Sequence, residues 1–344
     1  MLSRRKFIQQ TSFAITGVSL QTIVPVNAID AEEMVMTVAG PKKATDLQFT
    51  LTHEHILVDF IGAAGVNPSR YEVSEVVKTA LPFLQAIKTA GCNSFVDCTP
   101  AYIGRDVNVL KQLSSITGLN IITNTGYYGA VAEKYLPAFV FTETARQLAQ
   151  RWINEWKNGI DGTSIRPGFI KSGVDKAPLT AAQEKIIIAA AITHLQTGLT
   201  IAVHTGDGEA AKQQLKILAQ NGVSPEAWIW VHAQNENDRM FQLEAARKGA
   251  WVSFDGANAS SLPDYIGFLN LMKKEQLLHR VLVSQDSGWY HIGEPGGGEY
   301  NGYGYITSQF IPSLLREGFT KKEINQIFIT NPANAFTIHI RKSV

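Results

Sequence analysis

Phe49-Thr-Leu-Thr-His53-Glu54-His55 is a β-like run that closes on two histidines one residue apart. Side chains on an extended strand alternate faces, so His53 and His55 project to one side and Glu54 to the other. Four later runs also end on a side chain able to meet a metal ion: Phe169-Ile-Lys171, Ala202-Val-His204, Trp230-Val-His232 and Ser284-Gln-Asp286. Strand-like stretches near 49–55, 93–98, 120–125, 166–171, 200–204, 227–232, 250–255 and 281–286 alternate with helical patterns near 73–90, 104–117, 141–158, 180–197, 207–220, 236–248 and 262–278. Ser74, Thr180 and Asp207 are candidate helix N-caps, and Gly91, Gly118, Gly198, Gly222 and Gly249 are stop signals. This rhythm predicts an α/β chain folded as a parallel (β/α)8 TIM barrel, with a short N-terminal β-hairpin formed by 34–41 and 42–49. A doubly wound open sheet competes. It gives no reason for ligand candidates on the first, fourth, fifth, sixth and eighth strands to converge, whereas a barrel opens every strand C-terminus onto one face.

The 344 residues are 45% hydrophobic and 18% charged, with a formal net charge of +1. One large domain is a normal outcome at this size. The charge balance gives no reason to expect nucleic acid or an anionic membrane as partner. The first residues read as an address. Ser3-Arg4-Arg5-Lys6-Phe7 precedes a moderately apolar stretch from Thr11 to Val24, and Val26-Asn27-Ala28 supplies cleavage-type residues. The reading is a twin-arginine signal peptide over 1–28, cut after Ala28, and a single periplasmic domain over 29–344. Cys92 and Cys98 flank a strand-like segment that would hold their Cα atoms about 20 Å apart. A disulfide is excluded on that geometry, and both read as buried small hydrophobes.

His53, His55, His204, His232 and Asp286 offer a nitrogen and oxygen cage suited to zinc or a similar divalent ion. Lys171 is the odd member, because a protonated amine has no lone pair and is repelled by a cation. A deprotonated lysine amine can take up carbon dioxide as a carbamate, an anionic ligand whose two oxygens can bridge two metals. A Schiff-base lysine is the alternative use, against which four histidines on the same rim weigh. Glu54, facing away from the metals on a regular strand, is expected in packing or in supporting the ligands from behind rather than in ligation. Asp97 and Asp255 either accept the second N–H of ligand histidines or cap loops, and Asp207 caps a helix. The Gly- and Tyr-rich stretch 293–305 after the last strand is a candidate lid or specificity loop, or a solvated excursion.

In this order and spacing, the run 49–55, Gly168-Phe-Ile-Lys171, Val203-His-Thr-Gly206, His232 and Ser284-Gln-Asp286 resemble the bacterial phosphotriesterase-related family of the amidohydrolase superfamily. Thr37-Val-Ala-Gly-Pro41 resembles the family's N-terminal hairpin and Asn331-Pro-Ala333 its closing helix, so the resemblance spans 34–338. It implies a barrel with two divalent ions, usually zinc. His53, His55 and Asp286 would hold the more buried ion and His204 and His232 the more exposed one. Carbamylated Lys171 and a hydroxide would bridge them. The hydroxide would attack the substrate and Asp286 would take and relay its proton. The resemblance also suggests a homodimer.

The family includes organophosphate triesterases, homoserine-lactone hydrolases and sugar-lactone hydrolases. Tyr128 stands where the lactonases carry a tyrosine beside the exposed metal, the alternative being an ordinary rim aromatic. Phe254-Asp-Gly-Ala-Asn258 lacks the arginine that homoserine-lactonases place after the aspartate, and the segment before the eighth strand is too compact for the large loop of a triesterase. Ser287-Gly-Trp289-Tyr290-His291 departs from both patterns, which makes Trp289 and Tyr290, with Tyr128, the substrate-binding candidates. Aromatic faces with nearby Asn and Glu groups suit a hydroxylated ring such as a sugar. The expectation is a metal-dependent hydrolase of a small-molecule lactone or related carboxylic ester, sugar-type lactones among them, with no membrane partner in the mature form. A phosphotriester or phosphoester hydrolase is the second reading, for which Lys176 and Arg105 are the candidate cations. A ligand-binding barrel without catalysis is the third, disfavoured by the intact ligand set.

Overall fold

The computed structural model describes residues 33–343. The expected signal peptide lies outside the described residues. The hairpin pairs Met34–Thr37 with Gly40–Lys43, so its turn falls at Val38-Ala39, earlier than the sequence suggested. Eight parallel barrel strands follow: β1 (Thr50–Glu54), β2 (Ser94–Asp97), β3 (Asn120–Ile122, resuming at Asn124–Thr125), β4 (Phe169–Val174), β5 (Thr200–Thr205), β6 (Trp228–Val231), β7 (Trp251–Asp255) and β8 (Val281–Ser284). Neighbours in sequence are neighbours in space throughout, from β1 to β3 and from the resumed β3 to β8. The strand order never reverses, which rules out the doubly wound sheet. No backbone ladder joins β8 to β1. Mixed bonds close that seam: His53 N to Ser284 Oγ (3.0 Å), Thr52 Oγ1 to Val283 O (3.4 Å) and Asp286 N to His53 O (3.1 Å).

The outer layer consists of α1 (Val73–Thr89), α2 (Val107–Thr117), α3 (Ala145–Asn158), α4 (Ala181–Thr197), α5 (Gly208–Gln220), α6 (Arg239–Arg247) and α7 (Leu262–Lys274), with a last helical run over Ile306–Arg316. Thr180 forms a full capping box with Gln183, and Asp207 accepts from Ala210 N at 2.8 Å. Ser74 is not a cap: α1 begins one residue earlier, after Glu72. Two apolar layers result from strand alternation. Ile170 joins the outer core against the helices, while Phe169 points inward with Val96, Ala202, Ile229 and Leu282. Phe336, 5.4 Å from Phe169 between ring centroids, plugs the N-terminal end. Polar function is thereby confined to the C-terminal mouth. Cys92 and Cys98 are free and buried, as expected. No helix among the described residues is long and apolar enough to cross a membrane.

The C-terminal segment is pinned by a histidine outside the mouth. His194, buried on α4, lies 2.9 Å from Leu199 O through Nδ1, and its Nε2 accepts from Arg341 N at 2.9 Å. Burial lowers its pKa below the ordinary 6.5. The unfolded chain then takes the proton first, so stability falls as pH drops below about 6.5. A His194→Gln variant is expected to show a flatter loss of urea stability between neutral and mildly acid pH than the wild type.

Candidate metal centre

The site is assembled from the ends of β1, β4, β5, β6 and β8. The β1–β2 register shifts between Leu51 and Glu54, a bulge-like irregularity that leaves Leu51 in the outer core and turns His53 inward. His53 and His55 then share a face, with ring centroids 5.4 Å apart. Lys171 lies in mid-strand, since β4 runs on to Val174. Its side chain is 2% exposed, lines the cavity at the mouth, and makes no hydrogen bond or ion pair among the described residues. His204 sits on β5 with its ring 4.6 Å from that of His232. His232 follows β6 directly and Asp286 lies two residues beyond β8. Both adopt left-handed backbone conformations, with φ of 63° and 55°. Such non-glycine conformations cost about 1–3 kcal/mol each and concentrate at functional sites.

Asp255, the last residue of β7, organises the imidazoles. Its Oδ2 lies 3.0 Å from His53 Nδ1 and its Oδ1 lies 2.5 Å from His232 Nδ1. An ionised Asp255 can only accept, so both rings donate Nδ1–H and keep a lone pair on Nε2. His55 reaches the same tautomer by another route. Its Nδ1 is 2.8 Å from Thr99 Oγ1, and that hydroxyl donates to Leu57 O at 3.2 Å. Thr99 must therefore accept from His55. Asp97, the other candidate for this role, instead caps loops by accepting from Ile56 N (3.0 Å) and Thr99 N (3.1 Å). Asp255→Asn should free the His53 and His232 rings and weaken metal affinity by about 10- to 100-fold, read by chelator competition.

The freed nitrogens converge on a carboxylate. His55 Nε2 lies 3.0 Å and His53 Nε2 3.6 Å from Asp286 Oδ1, yet this buried oxygen has no hydrogen-bond partner. The ligand atoms of His53, His55 and Asp286 all fall within 4.8 Å of one another. Lone pairs facing each other with no proton between them repel unless a cation stands among them. Nitrogen and carboxylate donors of this kind fit a divalent ion of zinc type. For His53 and His204 the electrostatics agree. Burial lowers the pKa of His53 to about 4 and outweighs Asp255. His204 is pushed well below its ordinary value by burial and then by His232. His232 goes the other way: burial lowers it, but Asp255 raises it further. Burial opposes the charge of Asp255, but His232 and His53 hold its carboxyl well below the usual range. Asp286 is likewise held low by His53 and His55 against its burial.

A cavity of about 240 Å³ stands over these groups. Besides the ligand candidates its walls include Val58, Phe60, Ile103, Tyr128, Tyr135 and Trp289. Trp289 (φ 77°) packs on His55 at 4.4 Å between centroids and donates Nε1–H to Asp286 O at 2.8 Å. Tyr128 lies edge-on to His204 at 5.2 Å, and burial raises its phenol pKa, so it remains a donor. Tyr290 is not at the site. It pairs in a short strand with Leu57 and faces a separate hollow beside Arg70 and Glu75. The left-handed turn at Trp289 is what breaks the expected pairing of the two aromatics. The 293–305 stretch does not line the cavity either. Tyr300 stacks on Phe83 of α1 at 5.0 Å, and buried Tyr303 donates to His55 O at 2.6 Å, so the segment is a buttress behind His55. Its Asn and Glu groups are thus unavailable to a hydroxylated ring in the cavity. Arg105 is committed to Glu155 (2.8 and 3.0 Å) and exposed Lys176 does not line the cavity, so Lys171 is the one lysine or arginine among the described residues that does.

Sequence reading missed Thr99, Tyr135 and the buttressing Tyr303. Thr99 follows β2 at the rim where the ligand-bearing strands end, a signal available from the strand pattern.

Residues 33–336 match the model of the phosphotriesterase family. The chain belongs to that family. It is 30% identical to the phosphotriesterase homology protein of Escherichia coli, over 84% of this chain and 97% of the relative. It is 26% identical to the aryldialkylphosphatase of Saccharolobus solfataricus, over 86% and 96% of the two chains. A solved variant of a Deinococcus radiodurans PTE-like lactonase superposes with a TM-score of 0.79 at 27% identity, covering 88% of this chain and 99% of that one. Family membership makes this chain a metal-dependent, ester-hydrolysing enzyme on a TIM barrel.

Proposed function

We propose that the enzyme hydrolyses a neutral lactone or related carboxylic ester carrying an apolar substituent, using two divalent ions, zinc by donor type. His53, His55 and Asp286 would hold one ion, His204 and His232 the other, and Lys171, as its carbamate, both. The observation that carries this reading is the unpartnered Asp286 Oδ1 facing the Nε2 atoms of His53 and His55. Divalent ions held by these residues would supply Lewis-acid polarisation of the substrate oxygen and a water acidified to a pKa of about 7. Asp255 and Thr99 hold three imidazoles in the required tautomer. Oδ1 of Asp286 faces the imidazoles, which leaves Oδ2 to take the proton of the attacking water and pass it to the mouth. Tyr128 donates to the carbonyl oxygen, and the Phe60, Val58 and Trp289 walls exclude water and receive the apolar substituent.

The apolar lining, whose one lysine or arginine among the described residues is Lys171, itself assigned to the ions, favours a neutral substrate over a phosphomonoester, and an alkyl- or aryl-substituted lactone over a sugar lactone. A phosphotriester, also neutral, remains the second reading because of the relative named aryldialkylphosphatase. Comparing kcat/KM on an alkyl-substituted lactone, an unsubstituted hydroxylated lactone and a diethyl aryl phosphotriester tests the choice. The alkyl lactone is expected to lead by at least about tenfold, the worth of two buried methylenes. Equal or greater turnover of the phosphotriester would overturn it. We further propose export by the twin-arginine leader, tested by fractionating cells before and after an Arg4→Lys, Arg5→Lys change.

A further inference from the structure

Glu54 stands between two proposed ligands but turns its back on them. Its carboxylate, fully buried, accepts four hydrogen bonds, all from the segment that carries Asp286. Oε1 accepts from Ser284 Oγ (2.7 Å), Gln285 N (3.1 Å) and Gln285 Nε2 (3.4 Å), and Oε2 accepts from Ser287 N (2.8 Å). The donors bracket Asp286 on both sides. They also lie on the β8–β1 seam, where no strand ladder forms and the backbone bonds between the two segments are Asp286 N to His53 O (3.1 Å) and His55 N to Ser287 O (2.9 Å). His53 and His55 ride on one side of that seam and Asp286 on the other.

We propose that Glu54 is the positioning residue that sets Asp286 against His53 and His55. It acts as a clamp across the open seam and not as a ligand or a general base. The inference rests on the proposed metal centre and adds to it a residue that touches neither metal nor substrate. Physically, the clamp does two things. It reinforces the register set by the Asp286 N to His53 O and His55 N to Ser287 O bonds, and its two oxygens hold the peptides flanking the left-handed Asp286 (φ 55°). An amide in place of the carboxylate can serve only one side, because its NH2 would confront either Ser287 N–H or the Ser284 and Gln285 donors. Ions held by His204 and His232 do not depend on this seam.

The test is zinc binding by chelator competition to full-length wild type, Glu54→Gln and Ser284→Ala, with melting temperatures measured alongside. Wild type should take up two ions, which checks the metal centre independently. Glu54→Gln should then lose about 10- to 100-fold in affinity for one ion while the other binds as before. Ser284→Ala, which removes one of the four bonds and also the His53 N to Ser284 Oγ bond, should show the same one-site loss at smaller size, and unchanged affinity there counts against the clamp if Glu54→Gln does not fold. Wild-type affinity at both ions in a folded Glu54→Gln, or in Ser284→Ala when the glutamine variant is unfolded, would overturn the clamp. So would equal weakening of both ions, which a merely structural role would produce.

Discussion

Replacing Asp286 with asparagine is expected to lower kcat by about 10²- to 10⁴-fold, the usual worth of a positioned proton acceptor. Asparagine keeps the shape and one coordinating oxygen, so the ion beside His53 and His55 should be weakened but not lost. In the proposed mechanism the change removes Oδ2, the atom that would receive the proton, and substitutes a group that cannot be protonated near neutral pH. Binding of substrate depends on the cavity walls and should be little affected, so KM is expected to hold while kcat falls. Steady-state kinetics on the preferred lactone, with metal content measured on the same samples, checks this. An Asp286→Asn enzyme that turns over at the wild-type rate would remove Asp286 from the proton path.

Lys171→Met should be costlier still. Methionine fills similar volume in the buried mid-β4 position, so the fold is expected to survive. An unpartnered ammonium in that position would be expensive to bury. In the proposed centre its amine, once deprotonated, would add carbon dioxide at Nζ, forming an N–C bond and releasing one proton, and the product would be an anion in place of a cation. Without it the two proposed ions would lose their shared ligand. Metal content should fall well below two per chain, and turnover by roughly 10³-fold, equivalent to about 4 kcal/mol of electrostatic stabilisation. Carbon-13 bicarbonate should give the wild type a carbamate resonance that Lys171→Met lacks. A wild type without that resonance, fully active and binding two ions, would return Lys171 to an unmodified role.

Much of this architecture was legible in the sequence because barrels and strands impose simple periods. His53, Glu54 and His55 alternate as period two requires, and glycines after helices mark the strand-helix repeat. His232 and Asp286 were found by type and spacing, although both lie just past their strands in left-handed conformations no pattern announces. What the sequence concealed lies in contacts between distant segments. Thr99 meets His55 across 44 positions, and Tyr303 meets it across 248. Tyr303 was misread for a second reason: glycines and tyrosines describe a flexible aromatic loop equally well whether it covers a mouth or packs behind it. Tyr290 was drawn into the site by its neighbour Trp289, whose backbone turn (φ 77°) sends the next ring away from the cavity. Composition also favoured a polar sugar-like substrate, whereas the groups that would have recognised one face α1 and solvent.

Four histidines, a lysine and an aspartate are proposed to hold two metal ions that the hydrolysis requires. Elemental analysis of the purified protein, reconstituted with zinc and bicarbonate, tests this directly when paired with lactone turnover before and after chelation. The account predicts about two ions per chain, loss of turnover with the chelator, and recovery when zinc returns. A protein that binds no metal after reconstitution, or that hydrolyses the lactone equally well without it, would contradict the account.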